Sequence, residues 1–257
     1  MSSKVKKSLW QLYAWVYDAV LLRFLPYREL IAQVTNALDA REGRTILDAG
    51  CGTGNFIYHI IRSCPGVKAA GVDFSTAMLS RAMLRIRKAA PADSSRVIFR
   101  EADLNSALPF NDEEFAGVIC VNALYAVDDP EFLLGEIYRV LQKNGKLILV
   151  TPPVQPQMWP IFRAHACRLK EASPSGWIFV LAGQVVRLIP FLTVFLLINI
   201  FIKGRRTFHF FNSEELSLLV KSCGFKVVSI VPVYGGQDWL VEAEKTAFRA
   251  TLRGDKA

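Results

Sequence analysis

From Arg44 onward the chain alternates short apolar runs with longer stretches of mixed character. Ile46-Leu47-Asp48, Val67 to Asp73, Val97 to Glu101, Gly117 to Asn122 and Leu147 to Val150 have the length and apolar content of buried strands. Between them, Phe56 to Ser63 and Pro130 to Leu141 carry apolar residues at helical spacing. A helix over Ser213 to Cys223 then precedes two more strand candidates, Lys226 to Val233 and Leu240 to Ala243. Strands alternating with helices predict an α/β fold with a doubly wound, mostly parallel sheet, in which ligands lie beyond the carboxyl ends of the strands.

Two regions break this rhythm. Trp177 to Ile202 is apolar throughout except for Arg187, with Pro190 shortly after it. About 20 such residues can span a bilayer. A single crossing would, however, place Leu147 to Val150 and the two later strands on opposite sides of the membrane. The residues therefore predict an insert that enters and returns, or lies flat, broken at Arg187 and Pro190 into two short helical pieces because proline removes a backbone donor. Arg163, Arg168, Lys170, Lys203, Arg205 and Arg206 flank it at the level expected for lipid headgroups. The competing reading is a greasy lid over an apolar substrate tunnel. At the N-terminus, Lys4, Lys6 and Lys7 precede a stretch rich in aromatic residues that includes Trp10, Tyr13, Trp15 and Tyr17, the composition of an interfacial anchor or of a helix that closes over the site. Asp18 and Arg23 interrupt the apolar run, which argues against a secretory signal.

The chemistry concentrates at Asp48-Ala49-Gly50-Cys51-Gly52-Thr53-Gly54, where a strand ends on an acid and glycine then occupies every second position. Glycines so spaced permit a tight turn against which a ligand can press on bare peptide groups. A carboxylate at the mouth repels a diphosphate and suits a ligand bearing an ammonium or sulfonium group. Asp73 lies about 20 positions further on, the spacing at which an acid capping the second strand meets ribose hydroxyls. Any one such acid also fits a turn or helix cap.

These residues, in this order, resemble the class I S-adenosylmethionine-dependent methyltransferases, over roughly Arg44 to Thr151 and again over Phe208 to Ala243. The resemblance implies a seven-stranded sheet with N-terminal helices, and the apolar helical insert between the fifth strand and the following helix falls where the family places substrate recognition. It also implies S-adenosyl-L-methionine as cofactor, held by Asp48, Gly50, Cys51, Gly52, Gly54, Asp73, Phe74, Asp103, Leu104 and Asn122. In this view Asp103 meets the adenine, while Asn122 to Tyr125 line the methyl-donor end. Cys51 has no neighbouring base in the sequence and reads as a small packing residue within the turn. Tyr13, Tyr17 and Asp18 correspond loosely to the segment that folds over the methyl donor in quinone and phospholipid methyltransferases.

The expected organisation is an N-terminal helical cap or surface anchor (1–43), a methyltransferase domain (44–244) containing the insert (152–207), and a polar tail (245–257). Five cysteines at irregular spacing predict neither a disulfide framework nor a metal site, and suggest a reducing, cytoplasmic setting. A net charge of +8 permits nucleic acid or acidic lipid as partner, and its grouping around apolar segments favours an anionic membrane surface over nucleic acid. The expected function is methyl transfer to a lipidic acceptor, an isoprenoid quinone or phenol or an aminophospholipid, by an enzyme attached peripherally or monotopically to the membrane. The alternatives are a small soluble acceptor with the insert as lid, or a non-catalytic subunit retaining the fold. Oligomeric state is left open. A base is needed only if the acceptor must lose a proton, and His165, His209 and Tyr17 are the candidates, the two histidines being more in keeping with packing.

Overall fold

A computed structural model describes residues 18, 20–38, 40–203 and 208–246. Its centre is a seven-stranded sheet in the order β3-β2-β1-β4-β5-β7-β6. The strands are β1 (Thr45–Ala49), β2 (Lys68–Asp73), β3 (Val97–Glu101), β4 (Phe115–Val121), β5 (Leu141–Thr151), β6 (Phe225–Val233) and β7 (Asp238–Lys245). The pairings among β1 to β5 are parallel, and β7 runs antiparallel to both β5 and β6. Because β7 runs backwards, its first residues lie at the end of the sheet where β1, β2, β4 and β5 finish. The turn expected at Lys143 to Lys146 is a register shift inside β5, with Asn144 at φ +60°.

The helices are α1 (Leu25–Leu38), α2 (Asn55–Ser63), α3 (Thr76–Ala89), α4 (Pro130–Val140), α5 (Trp159–Ala172), α6 (Trp177–Lys203) and α7 (Ser213–Ser222). The starts of α3, α4 and α7 follow capping chemistry: Ser75 and Asp129 accept the Met78 and Phe132 amides, and Asn212 with Glu215 makes a reciprocal capping box. Alternation along each strand sends side chains to two apolar layers. Ile119, Val121, Ile148, Val150 and Leu240 face α1 and the insert, whereas Val118, Cys120, Leu147, Leu149 and Val241 face α4 and α7.

The insert differs from expectation. Residues 177–203 form one continuous 27-residue helix that passes through Arg187 and Pro190 without a break. An interior proline removes one hydrogen bond and crowds the preceding turn, yet a helix continues when its flanks favour it, and the flanks here are rich in leucine, isoleucine and phenylalanine. The two expected short pieces are therefore one long element. The chain nevertheless returns to the sheet it left, since β6 and β7 rejoin β5. Among the described residues, no helix is long and apolar enough to cross a membrane. From Pro190 to the end of α6 only the Thr193 side chain is described. Helix α5 is pinned to α1 by Arg168 on Glu29 at 2.7 Å and by the Leu25 amide on His165 Nδ1 at 3.1 Å. The anchor expected at the N-terminus, with Lys4, Lys6, Lys7, Trp10, Tyr13, Trp15 and Tyr17, lies outside the described residues, as do Arg205, Arg206 and the tail beyond Thr246.

Candidate active site

The turn after β1 is stitched to β2: the Gly50 and Cys51 amides donate to the Val72 carbonyl at 2.9 and 2.8 Å. Gly50, Gly52 and Gly54 all have positive φ, at +86°, +51° and +73°. A Cβ on Gly50 would come within 2.6 Å of Ala123 Cβ, and one on Gly54 within 2.9 Å of Ala82 Cβ. These two glycines let the loop after β4 and helix α3 approach the turn. A Cβ on Gly52 would meet nothing within 4 Å, so the side of the turn at its Cα is open space, which is the surface a ligand needs. Cys51 turns inward: its sulfur lies where a Cβ on Gly71 would collide, and burial, with Asp48 and Asp73 adding to it, pushes the thiol well up. It has the surroundings of a packing residue.

Asp73 ends β2 and accepts the Gly52 amide on Oδ2 at 3.0 Å and the Ser75 amide on Oδ1 at 2.8 Å. Burial raises it to about 6 despite those two bonds. Each oxygen keeps a second acceptor site. Asp48 is 1% exposed, and its Oδ2 is buried with no hydrogen-bond partner. Burial first, then the neighbouring Asp73, holds its pKa well above the ordinary value. Two carboxyls beside an open peptide, one with an unmatched oxygen, form a place for a cationic, donor-rich ligand. Phe74 is half-buried beside them.

Asp103 is exposed, and its Oδ1 accepts the Asn105 backbone and side-chain nitrogens at 3.0 and 2.9 Å. This is the turn role that acids at strand ends often play. Asn105 Oδ1 in turn accepts the Asp128 amide at 2.6 Å, joining the loops that follow β3 and β4, with Leu104 buried beneath. Asn122 follows β4 at φ +51°; its amide donates to the Val150 carbonyl at 2.8 Å and its Oδ1 is buried without a partner.

Several contributors escaped the sequence reading. Asp18 accepts Thr53 Oγ1 at 2.7 Å and Asn55 Nδ2 at 3.1 Å, and pairs with Arg85 at 2.6 Å, so the segment before α1 is fastened directly to the glycine turn. The sequence offered Asp18 only by loose analogy, and nothing in it pointed to Arg85. Asp238, the first residue of β7, is 5% exposed and accepts Asn122 Nδ2 at 3.2 Å. Burial raises it to about 7, against the lowering effect of that one bond. Tyr234 (φ +54°) precedes Gly235 and Gly236 in the turn that delivers Asp238, and a glycine pair before an apolar strand was the available clue.

The histidines separate. His165 is 2% exposed; Nδ1 accepts the Leu25 amide, which makes Nε2 the protonated nitrogen, 2.8 Å from Gln184 Oε1. Both nitrogens are occupied in joining α1, α5 and α6, so neither faces an acceptor. The His209 amide donates to the Tyr125 carbonyl at 2.8 Å, which sets the segment before α7 against the loop after β4. Tyr17 lies outside the described residues. A separate groove of about 590 Å³ lined by Asp112, Glu136, Arg139 and Lys245 sits at the opposite end of the sheet, where Arg139 is already engaged by Glu136 and Asp112.

Residues 46–145 match the model of the family described as a methyltransferase domain. With the glycine turn, its two carboxyls and the strand order, this region is a class I methyltransferase domain whose cofactor is S-adenosyl-L-methionine. Its sequence is similar to the demethylmenaquinone methyltransferase of Thermus thermophilus, 37% identical over 114 residues, covering 44% of this chain and 50% of that one. It is also similar to the ubiquinone/menaquinone biosynthesis C-methyltransferase UbiE of Desulfotalea psychrophila, 33% identical over 134 residues, or 51% of each chain. The chain thus spans about half the length of the curated relatives it matches. In fold it resembles the [4+2]-cyclase SpnF, with a TM-score of 0.61 at 16% identity over 86% of this chain and 81% of that one. The geranyl diphosphate C-methyltransferase of Streptomyces coelicolor A3(2) gives a TM-score of 0.59 at 15% identity over 86% and 78%.

Proposed function

We propose that the protein transfers a methyl group from S-adenosyl-L-methionine to the ring of a lipid-tailed quinol at a membrane surface. The observation that carries this reading is the adjacency of an open glycine turn, with its two carboxyls, to an aromatic layer beneath the insert. Asp73 would hold the ribose, Asp48 and the Gly52 peptide the amino-acid end, and Asn122 the methyl-donor end. The bound cofactor supplies an electrophilic methyl group. The protein's share is to hold the acceptor in line with it, which can account for several kcal/mol of the barrier, about 7–11 in well-oriented model systems. Tyr27, Tyr125, Phe208, Phe210 and Tyr234 surround the acceptor side with rings, which suits a flat apolar head better than an aminophospholipid. The names of the sequence relatives support the same choice.

The outer face of the insert supports the membrane part. Trp159 is 74% and Phe179 82% exposed, with Ile178, Val186 and Ile189 beside them in α6 and Arg163 and Lys170 exposed on α5. Apolar exposure of this extent on a helix rimmed by cations fits a lipid interface. The inner face, through His165 and Leu188, packs on the domain as a lid would, and one element serves both purposes.

The test is incubation with methyl-labelled S-adenosyl-L-methionine and a total lipid extract, with the labelled product identified. Label on a quinone ring supports the proposal. Label confined to phospholipid amines, or to water-soluble compounds, replaces it.

A further inference from the structure

Resting on the quinol reading above, we propose that Asp238 and Asn122 form a subsite for a ring hydroxyl of the acceptor, in which the Asp238 carboxylate is the proton acceptor.

The placement comes from strand direction. Asp238 opens the one strand that runs against β5, so it stands at the end of the sheet where Asn122 leaves β4, and Thr151 of β5 pairs with its neighbour Trp239. Along β7, Asp238 shares the face of Leu240, and Leu240 belongs to the apolar layer covered by α1 and the insert. An acid is thereby held beside Tyr125 and Tyr234, on the side of Asn122 away from β1 and β2, and Tyr125 in turn packs on Phe208 and Phe210. A buried carboxylate is costly unless paired, and the one described hydrogen bond here comes from Asn122 Nδ2.

Asn122 contributes a second mismatch, because its Oδ1 is buried with no partner. Its side chain and the carboxylate thus offer unfilled acceptor positions next to each other, the complement of a ligand that brings O–H donors. Asn122 and Tyr234, on either side of Asp238, are both non-glycine residues held at positive φ, +51° and +54°, the kind of local strain that structures retain at working positions. The titratable groups that face Asp238 are Tyr125, from the turn after β4, and Tyr234, from the turn before β7; burial and Asp238 both push each phenol up, so both remain neutral. No described cation is among the influences on Asp238.

The step balances within the pair. The acceptor's O–H bond breaks, its electron pair stays on oxygen and enriches the ring, and the proton forms an O–H bond on the carboxylate. A carboxylate titrating near neutrality suits that exchange. A quinone, which has no hydroxyl, cannot make it.

The test is calorimetric binding of 1,4-dihydroxynaphthalene, kept anaerobic, and of the corresponding quinone, to the full chain with S-adenosylhomocysteine present, in buffers of different ionisation heat at about pH 6.5 to 7.5. A hydroxyl donating to the carboxylate favours its ionised form, so quinol binding should release a fraction of a proton and tighten severalfold as pH rises through about 7. The quinone should release none, and Asp238→Asn should bind quinol with no proton release and no pH dependence. Equal proton release by quinol and quinone, or unchanged release in Asp238→Asn, overturns the assignment. The quinol–quinone contrast needs only the unaltered chain. If S-adenosylhomocysteine binds and the quinol does not, the acceptor reading itself fails and this subsite with it; quinol binding without proton release removes the subsite alone.

Discussion

The two halves of the site are built by different means. On the β1–β2 side, the turn and its acids come from two consecutive strands, joined by hydrogen bonds such as that from Gly52 to Asp73, which spans 21 residues. On the β4–β5–β7 side, Asn122 reaches Asp238 across 116 residues, and the surrounding rings arrive from α1, the loop before α7 and the β6–β7 turn. The cofactor half is a local device that any fold of this type can reuse. The proposed acceptor half forms only once distant parts of the chain have come together, in keeping with one fold hosting a cyclase and methyltransferases alike.

Damage to the local half should have the largest effect. Gly50→Ala places a Cβ at positive φ and within 2.6 Å of Ala123 Cβ, and should cost about 2–4 kcal/mol with loss of measurable cofactor binding. Thermal unfolding and calorimetric titration check it, and a stable variant with normal affinity would contradict the geometry of the turn. Asp73→Ala removes the acceptor of the Gly52 and Ser75 amides. It should weaken cofactor binding about 10–100-fold, while quinol binding to the cofactor-free protein stays within about twofold, because the acceptor half does not use it.

Asp238→Asn inverts that pattern and adds a stability signature. The folded pKa of Asp238, about 7, lies above its ordinary value, so the folded state binds the extra proton and stability falls as pH rises from about 4 to about 7. Removing the ionisation should therefore leave stability near pH 4 little changed and raise it by about 1–3 kcal/mol at about pH 8, read from denaturant midpoints. Cofactor affinity should stay within about twofold. A variant destabilised at that higher pH would show that the carboxylate is a structural partner instead. A smaller effect is expected at the joint between N-terminal segment and turn: Asp18→Ala breaks a partly exposed ion pair and two hydrogen bonds, for about 1 kcal/mol and a several-fold rise in cofactor dissociation rate. The smallest change in the folded protein should come from Phe179→Asp with Val186→Asp, which alters unfolding by less than about 0.5 kcal/mol at exposed positions but should abolish flotation with anionic vesicles.

The same division governs what could be read from the residues. The alternation of strand and helix, the glycine turn, Asp48 and Asp73 were legible because each depends on neighbours in the chain. The strand ends agree to within about two residues for the same reason, except that β5 begins at Leu141 and absorbs the expected turn at Lys143 to Lys146, where the expected strand began at Leu147. Asp238 was not legible, since an acid opening a strand carries no spacing that ties it to Asn122; the tie is the antiparallel reversal of β7. The expected break at Arg187 and Pro190 misjudged α6 because a proline's local cost was weighed without the propensity of a long apolar helix on both sides. The histidines were named for their chemistry and for bracketing the insert, and only the packing of α5 on α1 and α6 shows that both nitrogens of His165 are spent holding the insert in place.

The decisive experiment on the glycine turn is a crystal structure of the full chain soaked with S-adenosylhomocysteine. Ribose hydroxyls should lie on Asp73, the rest of the ligand against the open side of the turn at Gly52, and the sulfur should point toward Asn122 and Asp238. A turn left empty at saturating ligand, or one filled instead by a phosphate-bearing nucleotide, would contradict it.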